Sequence, residues 1–263
     1  MGLLYEELSY ILRGYIYDVH NEVGVGFDEE IYQLALEQKL RENNISFRSQ
    51  EIRYVEHKGK RVHKFVLDLI IEDKIILELK CIETNFHPEH VIQLLSYLKC
   101  WKKRVGFLVN FGLPKAEIKR YAFTEKEKKI VENYDYIRDL ITPNIRPPLM
   151  KLRDILLTIF EIHGVGYRAL VYEKILLEEL SIRQMKFTAK PIIPVKNGTQ
   201  LLKEYEIKWP LINNQFICGV TAFRESTSLD IIKVKTYLKS LNLPLGLMVH
   251  FGKKQLEIYG VSP

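Results

Sequence analysis

The chain has 263 residues and a mass of 31.0 kDa, 47% of them hydrophobic and 27% charged, which excludes disordered, collagenous and fibrous classes and leaves room for two domains of about 130 residues each. No apolar run approaches the ~18 residues of a membrane span, the first residues lack a signal peptide's basic and apolar regions, and three scattered cysteines (Cys81, Cys100, Cys218) form no disulfide framework or metal cluster, so the cytoplasm is the expected compartment. The formal charge of +6 is uneven, −1 over residues 1–140 and +7 over residues 141–263, and the basic half points to a polyanionic partner.

In chain order, a helix is expected from about Leu4 to Asn21, followed by a Gly-rich turn. A second helix starts near Asp28, a residue able to cap it, and continues through Leu34, Leu36 and Leu40. Extended segments at Phe47–Val55 and Val62–Ile71 are joined by a turn at Lys58-Gly59. Ile75 to Leu79 reads as a strand buried on both faces, followed by a helix over Pro88–Lys102 and a strand over Gly106–Asn110. Glu125 to Leu140 has the charge pattern of an amphipathic helix, and the three prolines of residues 142–148 predict a stiff linker.

The chain then repeats itself. Gly24-Val-Gly-Phe-Asp-Glu-Glu-Ile-Tyr32 is echoed by Gly164-Val-Gly-Tyr-Arg-Ala-Leu-Val-Tyr172, and Val105-Gly-Phe-Leu-Val-Asn-Phe-Gly112 by Leu245-Gly-Leu-Met-Val-His-Phe-Gly252. Between these anchors Gly59 pairs with Gly198, which places a hairpin turn at Asn197-Gly198, and Lys74 pairs with Gln215. Two tandem α/β domains are expected, at 1–140 and 149–263 with a linker at 141–148, each a mixed sheet flanked by helices.

Asp68 and Glu78 lie symmetrically about the polar turn Glu72-Asp73-Lys74. A hairpin there puts their Cβ atoms about 5 Å apart, and Glu78 and Lys80 share a strand face. Two facing carboxylates in so apolar a setting are costly unless a cation compensates, and oxygen ligands suit magnesium. Lys80 is placed to orient a water and to stabilise negative charge. Glu29 falls in the first turn of its helix, beside Tyr32, and Gln93 and Tyr97 are four apart on one helical face. His63, His87 and His90 lack paired metal-ligand spacing and receive no site.

Gly26-x-x-Glu29-x-x-Tyr32 resembles the signature of the GxxExxY family, a branch of the PD-(D/E)XK nuclease superfamily. Asp68, then Glu78-Leu79-Lys80, and Gln93-x-x-x-Tyr97 continue the resemblance, the last matching the Gln-x3-Tyr motif of RecB-type nucleases. The superfamily's proline is absent, since Leu67 precedes Asp68. The resemblance implies a restriction-endonuclease-like fold. It also implies Mg²⁺ or Mn²⁺ held by Asp68, Glu78, the Leu79 carbonyl and Glu29, with Lys80 activating water and Gln93 and Tyr97 positioning the metal site or nucleic acid.

At matching positions the second copy has Ala169 for Glu29, Trp209 for Asp68, Gly219 for Glu78, Thr221 for Lys80 and Lys233 for Gln93, and residues 207–221 contain no acidic residue. The reading that follows is a nuclease acting on nucleic acid, with DNA favoured, and one active site in the first copy. The second copy is expected to be degenerate, gripping phosphates or packing as an intramolecular pseudo-dimer partner. The alternative is a catalytically silent nucleic-acid-binding or scaffolding protein, told apart by salt-sensitive binding without metal-dependent cleavage.

Overall fold

The computed structural model describes residues 3–124, 128–223, 228–252 and 254–263. Two compact units emerge from the contacts: Met1–Val55 with His63–Thr124, and Glu56–Val62 with Glu125–Pro263.

The first unit opens with α1 (Glu6–Val23) and α2 (Glu29–Glu42). Leu12, Ile16 and Val19 on α1, and Tyr32, Leu36 and Leu40 on α2, recur at helical spacing and are buried. They cover one face of a five-stranded sheet in the order β1 (Phe47–His57), β2 (Lys60–Ile71), β3 (Ile75–Lys80), β4 (Val105–Asn110) and β5 (Glu117–Ala122). β3 and β4 run parallel, and α3 (Pro88–Cys100) supplies the crossover such a pair requires. Gly106 lets α3 sit close, because a Cβ there would lie 2.7 Å from Leu94 Cδ1 and 3.2 Å from Leu98 Cδ2. β3 is flanked by strands on both sides, and all of its residues except Lys80 are buried, Glu78 among them.

The second unit repeats this plan. β6 (Lys129–Asn133) precedes α4 (Arg146–His163) and α5 (Ala169–Ile182), which match α1 and α2 in length. β7 (Phe187–Thr188), β8 (Ile192–Asn197), β9 (Gln200–Glu206), β10 (Leu211–Ile212) and β11 (Phe216–Ala222) follow, then α6 (Ser228–Leu241), β12 (Gly246–Phe251) and β13 (Gln255–Val261). The main sheet has the order β6-β13-β12-β11-β10-β7, and β8 and β9 form a separate ribbon. Pro191 and Pro210 stand at the breaks between β7 and β8 and between β9 and β10, where a residue without an N–H cannot extend a ladder. The long hairpin of the first unit is thereby split in two.

Several expectations are corrected. The helix expected over 125–140 is reduced, among the described residues, to a short 3-10 helix over Asp135–Leu140 (125–127 lie outside them). Lys129–Asn133 instead forms β6, because its Ile130-Val131 pair favours extended backbone and the edge of β13 offers parallel pairing. That pairing places residues 128–140 with the second unit. Pro147 and Pro148 are not linker: they stand in the first turn of α4, where a missing N–H costs nothing. Asp28 occupies the N-cap position of α2, yet its side chain makes no capping bond. The loop of the β8–β9 ribbon is Gly198-Thr199 rather than Asn197-Gly198, with Gly198 at φ 58° as its first central residue.

Residues 56–62, the turn of the β1–β2 hairpin, belong to the second unit. His57 is fully buried there, with Nε2 2.8 Å from Glu179 Oε2 and Nδ1 2.9 Å from His163 Nε2. Lys58 and Arg183 donate to Glu179 Oε1 at 2.6 and 2.9 Å. This accumulated positive charge and hydrogen bonding outweigh burial and hold the Glu179 carboxyl below its usual range.

Candidate active site

The turn between β2 and β3 sets the site. Glu72 and Asp73 both take positive φ, 51° each, and Lys74 N–H donates to Ile71 O at 2.8 Å. Ser46 N–H and Oγ hold Glu72, each at 2.8 Å, while Arg48 and Lys103 hold Asp73 at 2.9 and 2.8 Å. These contacts stabilise a left-handed backbone that glycine or asparagine would adopt more readily. The resulting register pairs Ile71 with Ile75, Ile70 with Ile76 and Leu69 with Leu77. There the ladder ends, and the next free N–H on that edge, Leu79, donates to Asp68 Oδ2 at 2.8 Å. β3 continues against β4 alone, with Glu78 opposite Leu108 and Lys80 opposite Asn110.

The charged side chains meet where β2 and β3 part. Lys80 Nζ donates to Glu78 Oε1 at 2.7 Å and to the Leu79 carbonyl at 2.5 Å, and Glu29 Oε2 lies 3.7 Å from the same nitrogen. Glu78 is 1% exposed, and its Oε2 has no hydrogen-bond partner. Burial, and next the charge of Asp68, push the Glu78 carboxyl well above the ordinary carboxylate range, with Lys80 opposing. Burial likewise raises Asp68 and Glu29. Burial alone would lower Lys80, but the negative charge of Glu78, followed by Glu29 and Asp68, wins and keeps the ammonium protonated. The cluster is therefore short of positive charge even with Lys80 in place.

Gln93 Nε2 donates to Tyr97 Oη at 2.9 Å. Tyr97 packs edge-on against Phe65 of β2, the strand that carries Asp68, and against Trp101. His87 and His90 form the capping box of α3, and burial, then the charge of Lys80, hold the His90 imidazole below its usual value. Among the described residues no three His, Cys, Asp or Glu side chains cluster tightly enough to cage a metal by themselves.

Asn110 also shapes the site, although its sequence spacing ties it to none of the charged residues. It is fully buried; Oδ1 accepts from Ile82 N and Gly112 N, both at 3.0 Å, and Nδ2 donates to Ile82 O and Thr84 O at 2.9 and 3.1 Å. It thus fixes the segment that leaves Lys80. An asparagine ending the otherwise apolar Val105-Gly-Phe-Leu-Val-Asn110 was the available signal.

The repeated Gly and Tyr residues serve the scaffold. Tyr32 Oη donates to Gly24 O at 2.8 Å and its ring stacks on Phe111 at 4.6 Å. Tyr172 repeats this with Gly164 O at 2.8 Å and Phe251 at 3.8 Å. Gly26 and Gly166 take φ of 100° and 115°, conformations open to glycine. Of the Gly26, Glu29 and Tyr32 signature, only Glu29 reaches the charged cluster.

In the second unit, Asn213 and Asn214 repeat the left-handed turn, at φ 53° and 55°, with Gln215 N–H donating to Ile212 O at 2.9 Å. Gly219 stands opposite Met248 and Thr221 opposite His250, the registers that Glu78 and Lys80 hold in the first unit. A Cβ at Gly219 would lie 2.8 Å from Met248 Sδ, 3.1 Å from Val234 Cγ2 and 3.3 Å from Trp209 Cε3. Trp209, 1% exposed, packs edge-on to Tyr237. Apolar side chains crowd this position.

A sequence model of the PD-(D/E)XK nuclease superfamily matches residues 6–121 and again residues 149–259. The mixed sheets flanked by helices agree with a restriction-endonuclease-like fold in each segment. No curated protein matches the chain. A solved structure, that of SSO0001, is similar at 26% identity and a TM-score of 0.30, over 36% of this chain and 50% of its own, so the chain spans half the length of that protein.

Proposed function

Because the chain belongs to the PD-(D/E)XK nuclease superfamily, we propose that it is a metal-dependent nuclease that hydrolyses phosphodiester bonds of DNA through one active site in its first unit. The observation that carries this reading is Glu78, a buried carboxylate with an unpartnered Oε2 beside Asp68, in a cluster short of positive charge. Asp68, Glu78 and the Leu79 carbonyl are hard oxygen donors that suit magnesium or manganese, with Glu29 next to them and water completing the shell. Such an ion, when bound, supplies charge neutralisation at the phosphate and a more acidic water.

The chain's own residues do the remainder. Lys80, protonated and anchored between Glu78 and the Leu79 carbonyl, orients the attacking water and donates to the phosphate oxygen on which charge grows. Glu29, 3.7 Å from the same nitrogen, steadies the ammonium. Water attacks phosphorus in line and gives up a proton to the surrounding solvent, the P–O bond to the leaving oxygen breaks, and that oxygen takes up a proton from solvent. Gln93, bonded to Tyr97, orients the substrate strand or the site. A single site per chain is supported by the second unit, where Trp209, Val234 and Met248 crowd the position of the carboxylate and residues 207–221 offer no acidic ligand.

The test is incubation with labelled single- and double-stranded DNA and RNA in Mg²⁺, Mn²⁺ or EDTA. Metal-dependent cutting of DNA is expected. Cutting of RNA alone would overturn the substrate assignment, and salt-sensitive binding without cleavage would favour the silent binding protein.

A further inference from the structure

The second unit contains a cavity of about 350 Å³ lined by Tyr134, Arg138, Arg146, Leu149, Met150 and Arg153, among others. Its cationic residues differ in their commitments. Arg153 donates from Nε and Nη2 to the two oxygens of Glu132, each at 2.6 Å, and Arg138 pairs with Asp135 at 2.7 Å. Arg146 forms no ion pair among the described residues. Tyr134 donates to Glu132 Oε2 at 2.8 Å, so one carboxylate fixes both the tyrosine ring and the Arg153 guanidinium. Leu149 is buried, whereas Met150 is half exposed.

An unpaired surface arginine is ordinary by itself. Three guanidiniums around one apolar-floored cavity with a fixed aromatic ring define a narrower ligand chemistry. Guanidinium groups recognise phosphate through paired N–H donors, and tyrosine and methionine offer contact area to a planar base. The cavity lies at the small end of the roughly 300–1,000 Å³ usual for small-molecule sites, far larger than one inorganic phosphate requires. We propose that this cavity binds a nucleoside 5′-monophosphate, its phosphate on Arg146 and Arg138 and its base against Tyr134 and Met150. Two sources present this chemistry, a free mononucleotide and the phosphorylated 5′ end of a strand. The proposal stands apart from catalysis in the first unit.

The experiment is calorimetric titration of the full chain in EDTA with dAMP, deoxyadenosine and inorganic phosphate, repeated with Arg146→Gln and Arg146→Lys, each checked by its melting curve. The wild-type chain should bind dAMP more tightly than either fragment, and Arg146→Gln should weaken dAMP roughly tenfold or more, with Arg146→Lys between. No dAMP binding, unchanged affinity in Arg146→Gln, or phosphate binding as tightly as dAMP would each overturn the proposal. A short single strand with and without a 5′-phosphate then separates the sources: a preference for the phosphorylated strand assigns the cavity to strand ends, and equal binding, with dAMP still bound, assigns it to the free nucleotide.

Discussion

Asp68 accepts the backbone N–H of Leu79 at 2.8 Å at the point where β2 and β3 stop pairing. One carboxylate thus closes the open end of a ladder and faces the buried Glu78. Its two tasks can be separated. Asp68→Asn keeps an oxygen for Leu79 and should leave the melting temperature near that of the parent, while Mn²⁺ affinity and cleavage are lost. Asp68→Ala leaves the Leu79 N–H without this acceptor and should cost about 1–3 kcal/mol in denaturant unfolding. Unchanged Mn²⁺ affinity in Asp68→Asn would remove Asp68 from the ligand set.

Glu78 gives a pH dependence of definite sign. A carboxyl raised by the fold binds its proton more tightly folded than unfolded, so its contribution is fully present below its unfolded value and is lost as pH rises through the raised folded value. In EDTA, the stability of the parent relative to Glu78→Gln should therefore fall as pH rises from about 4.5 towards neutrality. At neutral pH the variant should be the more stable. A difference that stays flat across this range would show that Glu78 is not held above its ordinary value.

The second unit's crowded position predicts intolerance to a restored side chain. Gly219→Ala should destabilise by about 1–3 kcal/mol, because its Cβ would meet Met248, Val234 and Trp209 in a filled interior. Gly219→Glu should be worse and should add no second activity. Thermal melts of both variants that match the parent would mean that this space is less full than the packing indicates.

The hairpin turn held in the second unit makes a contrast between buried and exposed pairs. His57→Ala removes a fully buried partner of Glu179 and should cost about 3 kcal/mol. Lys60→Ala breaks a pair whose lysine is largely exposed and should cost no more than about 1 kcal/mol. Because Glu179 is held below its usual range, the stability it contributes is present above its ordinary value and lost as pH falls through the lowered one. Chemical denaturation at neutral pH checks the contrast; equal costs would contradict it.

How much was legible in the sequence depended on periodicity and spacing. The helices α1 to α3 and the hairpin around residues 72–74 follow from apolar repeats and from the symmetric Asp68 and Glu78, and the structure brings Glu29, Asp68, Glu78 and Lys80 to one place. β6 was not legible, because its pairing depends on the edge of β13 more than a hundred residues away. The prolines at 147 and 148 read equally as linker or as a helix start, and only the helix that follows decides. Asn110 was not legible because three of its four bonds run to the backbone of Ile82 and Thr84, brought near by the parallel pairing of β3 and β4.

The most direct measurement compares cleavage of one labelled DNA, in Mn²⁺, by the parent chain and by Lys80→Ala and Glu78→Gln variants purified in parallel. Lys80 and Glu78 share a 2.7 Å bond at the centre of the cluster. Both variants should fold, and both should cut at least about a hundredfold more slowly than the parent, as loss of a preorganised charged group in a transition-state site requires. Cleavage by either variant at the parent's rate would contradict the assignment of the active site.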